Sequence, residues 1–366
     1  MIGDKKLHGI IILLLLGAPA LFAQSWGCAS RVFSRPDAFV FGNNGIDDLR
    51  MVMFTPDNWQ QSDSRPAMLI VFAGGFNKKC VDGFTAFRRY YSRQGFVVFV
   101  HEYQLLSQGV TYIEEQVPDC KMAVRWVRKN AAELGVDPNR IISFGGSAGG
   151  FLSTSSAAIE GLEHSDQDLT ISSKPDLCME VSAVLKIAGT VYDEDTRMGE
   201  EIEALRNLSD NMPPTILMYG FDDGLKEQGK EFIDSAADYS FDTELHIFNG
   251  EGRKGHSFCF REDSTVAPAG EDSVISWTMA FFEKHGFLPE QDPVAARPFC
   301  RQLTDKPALN INAGFTPVFY TLSGKRILHR NINSGSLSGG PRSHSSCIYI
   351  MKSGPRNYKQ DFYIAR

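Results

Sequence analysis

A serine stands at the centre of the segment Gly145-Gly146-Ser147-Ala148-Gly149, which has the pattern G-x-S-x-G. The apolar run 141–144 precedes it and predicts a buried strand that turns sharply into a helix at the serine. Small neighbours are needed because the turn is tight and the serine adopts a strained backbone conformation. The start of the following helix favours a developing negative charge. We predict that Ser147 is a nucleophile; the alternative is a glycine-rich turn that binds phosphate.

A serine hydroxyl needs a base that takes its proton before it attacks a substrate. His246, His256 and His285 follow Ser147 beyond the next predicted strand. His246 lies inside a strand pattern, and His285 ends the last predicted helix, where a cation suits the helix dipole. His256 lies in the glycine-rich loop 252–258, after a strand and before a helix. The sequence therefore favours His256 as the base.

A carboxylate that orients the base should follow a strand between the serine and the histidine. The apolar run 215–219 ends at Gly220, and two carboxylates, Asp222 and Asp223, follow it. We predict that Asp223 is the orienting acid, with Asp222 as the alternative. A solvated turn without a role in catalysis is the third interpretation.

Two adjacent glycines, Gly74 and Gly75, close the apolar run that ends at Phe72. Glycines allow the backbone N–H groups to turn toward a substrate oxygen. With the N–H of Ala148 they would form an oxyanion hole, in which one donor typically contributes about 2.7–4 kcal/mol to transition-state stabilisation. An ordinary Gly-Gly turn is the alternative.

The segments that must position these residues alternate between strand and helix patterns. Continuous apolar runs predict buried strands, and apolar residues at helical spacing predict the helices between them. The predicted strands are 49–54, 67–72, 96–100, 141–144, 215–219 and 244–248, and the predicted helices are 84–94, 120–134 and 274–285. Strands separated by helices indicate an α/β fold, with a mostly parallel sheet and helices on both faces.

Residues 40–287 resemble the α/β-hydrolase esterase and lipase group, which includes bacterial acetyl and carbohydrate esterases. Besides the serine motif, the resemblance rests on Asp119–Trp126, Gly135–Ile141, Met212–Thr215 and Gly255–Phe258. The chain order Ser147, Asp223, His256 is also that of this fold and differs from the orders of chymotrypsin and subtilisin. The resemblance implies an α/β-hydrolase fold and a serine esterase that needs no metal or organic cofactor.

The chain has 366 residues and a net charge of −7, with no excess of basic residues that would suggest nucleic-acid binding. Residues 1–23 combine two lysines, the short apolar run 10–16 and small residues before Gln24, which predicts a signal peptide. The apolar run is too short to span a bilayer, although a membrane anchor is the alternative. We therefore expect a secreted or cell-surface protein. Export permits disulfides, and the seven cysteines are compatible with two or three disulfides or with buried thiols.

The C-terminal part differs in composition from the rest. Residues 289–310 form a proline-punctuated linker, and residues 301–366 carry ten Lys or Arg and two acids, a net charge of +8. Strand signals at 316–322, 347–351 and 362–366 predict a small β-sandwich-like module over 311–366. This module resembles the C-terminal sorting domains of type IX secretion; a carbohydrate- or surface-binding module and a featureless β appendage are the alternatives.

These features together predict a secreted serine carboxylesterase whose catalytic domain spans 24–288. The expected substrate is a small ester or an acylated polysaccharide, of the acetyl-xylan or feruloyl type. Secretion machinery or the cell surface is the expected partner of the C-terminal module. The alternatives are a peptidase like prolyl oligopeptidase and a non-catalytic surface protein. The acyl pocket is expected from 76–84, 104–113 and 190–212.

Overall fold

A computed structural model of the chain describes residues 31–108, 112–187, 201–252, 254–256, 258–259 and 270–290, with four short strands between positions 318 and 365. The chain divides into two compact units, Met1–Glu290 and Gln291–Arg366. The predicted signal peptide and nearly all of the predicted linker lie outside the described residues, so the domain boundaries stay predictions.

The first unit is built on an eight-stranded sheet in the order β1-β2-β4-β3-β5-β6-β7-β8. Its strands are β1 (Phe39–Asn43), β2 (Asp48–Phe54), β3 (Arg65–Val71), β4 (Val97–His101), β5 (Val136–Gly146), β6 (Leu177–Val181), β7 (Thr215–Gly220) and β8 (Thr243–Phe248). Strands β3 to β8 pair in parallel, whereas β2 pairs antiparallel with both β1 and β4. The predicted, mostly parallel sheet is therefore confirmed, with an antiparallel edge.

Helices cover the sheet and connect its parallel strands. They are α1 (Thr85–Arg93), α2 (Val117–Lys129), α3 (Ala131–Leu134), α4 (Ala148–Ala158), α5 (Lys226–Ala236) and α6 (Glu271–Lys284). Alternate residues of β3 enter two different apolar clusters, Met68 and Ile70 in one and Ala67 and Leu69 in the other. Because alternate strand residues point to opposite faces, the sheet is buried on both sides. This double burial explains the continuous apolar runs of the central strands.

Two elements differ from the sequence expectation. The helix predicted over 120–134 begins earlier and is divided into α2 and α3 at Asn130, and Gly135 caps the C-terminus of α3. Gly135 has a φ of +64°, the left-handed conformation with which glycine ends helices. The turn predicted at 137–140 is part of strand β5. The pairing of β3 with β5 continues across these residues with a shift in register.

The described cysteines are in two states. Cys80 is disulfide-bonded. Cys120, Cys178 and Cys259 are free and buried. The backbone of Cys80 also forms a single antiparallel bridge with Ala73, which closes the loop between them. Among the described helices, none is both long enough and apolar enough to cross a membrane.

The second unit contains a four-stranded antiparallel sheet in the order β10-β9-β11-β12. Its strands are β9 (Val318–Tyr320), β10 (Arg326–Ile327), β11 (Ile348–Met351) and β12 (Tyr363–Ala365). Three of them lie at the predicted strand signals, and the short β10 is the fourth. The strands that are described form one sheet, and the second sheet of a sandwich is not among them. The role of this unit stays a prediction.

Candidate active site

Ser147 lies at the sharp turn between β5 and α4. Its φ of +54° and ψ of −122° place it in a backbone region that is rare for residues other than glycine. A Cβ atom at position 145 would lie 2.5 Å from the Gly149 carbonyl oxygen, and one at 149 would lie 2.1 Å from the Val71 carbonyl oxygen. The two glycines of the motif are therefore required by close packing of the turn against itself and against β3.

The three predicted residues meet at the carboxyl ends of the strands. The Ser147 Oγ atom is 2.9 Å from His256 Nε2, and His256 Nδ1 is 3.3 Å from each carboxylate oxygen of Asp223. An imidazole in this position can accept the hydroxyl proton on one nitrogen while the other donates to the carboxylate. The arrangement can therefore generate a serine nucleophile.

The environment of Asp223 keeps its carboxyl ionised. Burial alone would raise the pKa of this group, but the hydrogen bond and charge of His256, together with other hydrogen bonds to the carboxylate, hold the pKa below its ordinary value. The Leu225 N–H also donates to Asp223 Oδ1 at 3.0 Å. The side chain of Asp223 is 1% exposed, so its charge is directed at the imidazole and not at solvent.

The alternative residues have other positions and partners. Asp222 is exposed, and its backbone N–H donates to the Lys254 carbonyl at 2.7 Å. His246 contacts Glu244 and stacks on Trp277, and His285 contacts Asp242 at 2.8 Å. The structure therefore brings Asp223 and His256 to Ser147 and holds the other three residues elsewhere.

Gly220 explains how the loop of His256 reaches the acid. A Cβ atom at this position would lie 2.0 Å from the Lys254 carbonyl oxygen. Glycine lets the loop that carries His256 lie directly on the end of β7, and the bond from Asp222 to Lys254 fixes this contact. The imidazole and Asp223 are thereby held by one local backbone arrangement.

The loop after β3 carries the predicted oxyanion donors. The Ala73 carbonyl accepts from the Cys80 N–H at 3.0 Å, and the Gly74 carbonyl accepts from the Lys78 N–H at 3.0 Å. In a trans peptide the N–H points away from the preceding carbonyl, so these bonds turn the Gly74 and Gly75 N–H groups away from the interior of the loop. No hydrogen bond among the described residues uses the Gly74, Gly75 or Ala148 N–H. All three are available donors.

A buried acid behind the serine turn was not predicted. Glu180 on β6 is fully buried, and the hydroxyl of Ser153 donates to its Oε1 atom. Burial raises the pKa of Glu180 well above its ordinary value. A Cβ atom at position 145 would lie 2.4 Å from Glu180 Oε2. The signal in the sequence was an acid inside the otherwise apolar run 177–181.

In the part of the chain that the structure describes, no group of three or more His, Cys, Asp or Glu side chains is arranged to hold a metal ion.

Comparison with known proteins agrees with this geometry. The BD-FAE family model, which describes esterases of the α/β-hydrolase fold, matches residues 52–201. Esterase 2 of Thermogutta terrifontis phosphoramylated by tabun is similar in structure, with 27% identity, a TM-score of 0.63, and coverage of 69% of this chain and 96% of that chain. No curated protein matches the sequence significantly.

Two further structures of Thermogutta terrifontis esterase 2 are similar to the same extent. The propionate-bound structure has 26% identity and a TM-score of 0.63, and covers 69% of this chain and 96% of that chain. The butyrate-bound structure has the same identity and TM-score, with coverage of 70% and 97%. The fold and these matches define an α/β-hydrolase of the esterase type. The protein is an enzyme of this type, a serine hydrolase of carboxylic ester bonds.

Proposed function

We propose that Ser147 is the nucleophile, His256 the general base and Asp223 the carboxylate that orients the base. The observation that carries this proposal is the continuous contact from Ser147 Oγ to His256 Nε2 and from His256 Nδ1 to Asp223. The left-handed φ of Ser147 supports it, because strain at a single non-glycine residue marks functional positions.

The chemistry follows from these contacts. Ser147 Oγ attacks the ester carbonyl carbon as its proton passes to His256 Nε2, and Asp223 stabilises the imidazolium. The carbonyl oxygen becomes an oxyanion, and the Gly74, Gly75 and Ala148 N–H groups donate hydrogen bonds to it. The imidazolium then protonates the leaving alcohol. Water, activated by the same imidazole, hydrolyses the acyl-enzyme and frees the carboxylic acid.

The acyl group is proposed to be short. Structures of Thermogutta terrifontis esterase 2 hold propionate and butyrate, and this chain shares the fold of that esterase. We propose that the alcohol portion is a polysaccharide, so that the enzyme removes acetyl groups from a polymer such as xylan. A feruloyl ester, whose acid carries an aromatic ring, is the second candidate within the same chemistry.

Export and the C-terminal unit belong to the same proposal. A signal peptide over 1–23 would deliver the enzyme to the compartment in which polysaccharides are found. The basic module over 311–366 would act either as a sorting domain or as a module that binds carbohydrate or the cell surface. The disulfide at Cys80 supports an oxidising compartment.

The experiment that tests this function compares four substrates with one enzyme. We expect acetate release from acetylated xylan and turnover of p-nitrophenyl acetate, each lost in Ser147→Ala. Ferulate release at a higher kcat/KM would assign the feruloyl type instead. Cleavage of peptides without ester turnover would replace the esterase by a peptidase, and no turnover of any substrate would favour a non-catalytic surface protein.

A further inference from the structure

The loop that carries Gly74 and Gly75 has positive φ values at three consecutive residues, of which the third is not a glycine. Gly74, Gly75 and Phe76 have φ values of +141°, +59° and +62°. Phe76 is not a glycine, and its side chain is fully buried, with its ring centroid 5.6 Å from that of Phe151 on α4. A left-handed phenylalanine persists only where its surroundings fix it.

Two donors from another segment fix the backbone of Phe76. The Leu106 N–H donates to the Phe76 carbonyl at 3.1 Å, and Nε2 of Gln116 donates to the same oxygen at 3.0 Å. Gln116 is fully buried and precedes the first residue of α2. The reversed amide would place Oε1 of Gln116 against another acceptor, so the carbonyl determines the orientation of the amide.

In the side-chain amide of Gln116, the nitrogen has a hydrogen-bond partner and the oxygen has none among the described residues. Its Oε1 atom is buried and has no hydrogen-bond partner in the described part of the chain. A buried acceptor without a partner is unfavourable, and an apolar side chain of the same shape would avoid the penalty. The contact that the amide does make is the one with the loop that carries the oxyanion donors.

We propose that Gln116 is a positioning residue that holds the 74–76 loop in the conformation that presents its N–H groups to the oxyanion. This inference rests on the proposed function of the same site. The 75–76 and 76–77 peptides share Phe76, so rotation of the 76–77 peptide changes the Phe76 torsions and displaces the donors before it. Gln116 touches neither the substrate nor the reacting atoms and acts through the Phe76 carbonyl.

The position of Gln116 is itself fixed by α2. This helix also carries Asp119, whose carboxylate accepts a hydrogen bond from the Gln104 N–H at 2.8 Å. The segment from 104 to 116 is therefore attached to α2 at both ends. The two hydrogen bonds from α2 and the residue that precedes it, Asp119 to the Gln104 N–H and Gln116 to the Phe76 carbonyl, both end on backbone groups. The helix can therefore hold the backbone of the 74–76 loop in position.

The test replaces Gln116 by Met, which has a similar shape but no donor. A small misplacement of catalytic groups can cost on the order of 100-fold in rate, so we expect kcat on p-nitrophenyl acetate to fall about 10- to 100-fold. KM should change by less than about threefold, because the oxyanion donors act in the transition state. Affinity for a trifluoromethyl ketone, which forms a tetrahedral adduct on the serine, should weaken by the same factor as kcat/KM.

The matched control is Gln228→Met. Gln228 lies on α5, and its amide donates to the Lys186 carbonyl at 3.1 Å, not to the 74–76 loop. We expect this variant to retain kcat within about threefold. Equal losses of kcat in the two variants would overturn the proposal, because they would indicate general damage to the fold.

Folding of each variant is checked by circular dichroism and thermal unfolding. If Gln116→Met does not fold, Gln116→Asn, which keeps an amide but shortens its reach, decides the question by the same kcat and adduct measurements. Wild-type kcat and adduct affinity in a folded Gln116 variant would overturn the inference. Turnover that survives in Ser147→Ala would instead overturn the proposed function, so the two failures are distinguishable.

Discussion

Among the described residues of the first unit, two contacts join a buried aspartate to a histidine, and one of these contacts adjoins a serine. Asp223 lies 3.3 Å from His256, whose other nitrogen is 2.9 Å from Ser147 Oγ. Asp119 lies 2.7 Å from Nε2 of His164, a shorter contact. Among the described residues, no hydroxyl is hydrogen-bonded to His164. An Asp–His contact alone therefore does not define a catalytic site. The group that contacts the other imidazole nitrogen, here the Ser147 hydroxyl, defines it.

The carboxylates of Asp119 and Asp223 also differ in their other hydrogen-bond partners and in their place in the fold. Asp119 lies in the first turn of α2 and accepts hydrogen bonds from the Gln104 N–H and from Asn44 Nδ2, which tie three chain segments together. Asp223 follows β7 at the carboxyl edge of the sheet, where open α/β sheets bind their ligands. The first pair connects parts of the fold, and the second pair faces the strand ends at which a substrate can bind.

The largest expected effect separates the two histidines. Ser147→Ala and His256→Ala should each lower kcat for p-nitrophenyl acetate by roughly 10⁴-fold or more, because nucleophile and base act as a unit. His164→Ala should keep kcat within about threefold. Circular dichroism checks that each variant is folded. A comparable loss of kcat in the His164 variant would make the second pair part of the catalytic machinery.

The next effect separates the two neighbouring carboxylates. Asp223→Asn should lower kcat by about 10⁴-fold, since an amide in this position favours the wrong imidazole tautomer. Asp222→Asn should remain close to the wild type, because the Asp222 side chain is exposed and its contact with Lys254 uses the backbone. Steady-state kinetics on the same ester measure both, and the opposite pattern would reassign the acid.

The pH dependence of kcat/KM should reflect the Asp223–His256 pair and not the Asp119–His164 pair. His256 must be neutral at Nε2 to accept the Ser147 proton, so kcat/KM should fall about tenfold per pH unit once the imidazole is protonated. The low pKa of Asp223 means that its carboxylate remains ionised through this fall. His164→Ala should leave the acidic limb of the profile where it is. A displaced limb in that variant would mean that the second pair is coupled to the site.

A smaller effect concerns stability and not turnover. The raised pKa of Glu180 keeps a proton on the folded protein that the unfolded chain loses above its ordinary pKa, so the wild type loses stability as pH rises. Glu180→Gln keeps the acceptor for Ser153 and removes this dependence. The melting temperature of the variant relative to the wild type should therefore increase from pH 5 to pH 8. A constant difference would show that Glu180 ionises normally.

The smallest effect is expected from removal of the C-terminal unit. Both Asp–His pairs lie within Met1–Glu290, and the described strands after it form their own sheet. A chain that ends near Pro298 should hydrolyse p-nitrophenyl acetate at a rate close to that of the mature protein. Reduced binding to insoluble polysaccharide would identify a binding module, and retention in the periplasm of the native host would identify a sorting domain. Loss of folding would contradict the two-unit organisation.

The sequence predicted the central strands because parallel strands buried on both faces need unbroken apolar runs. It did not predict β6, whose run contains Glu180, or α5, whose residues are mostly polar. It also identified the serine, histidine and aspartate that the structure brings together, because each follows a strand pattern. Burial distinguishes Asp223 from Asp222, and no local pattern encodes burial. The contact from Gln116 to Phe76 could not be predicted from the sequence either, since it joins residues 40 positions apart.

The bond at Cys80 has a practical consequence for anyone who prepares this enzyme. Cys80 ends the loop that carries Gly74 and Gly75: its N–H donates to the Ala73 carbonyl, and its side chain is in a disulfide. Material from a reducing bacterial cytoplasm would lack the disulfide at this end of the loop, whereas material from the periplasm would keep it. Two preparations of one sequence would then differ in specific activity. Treatment with a mild reductant, followed by reoxidation, would show whether a weak preparation is damaged or merely reduced.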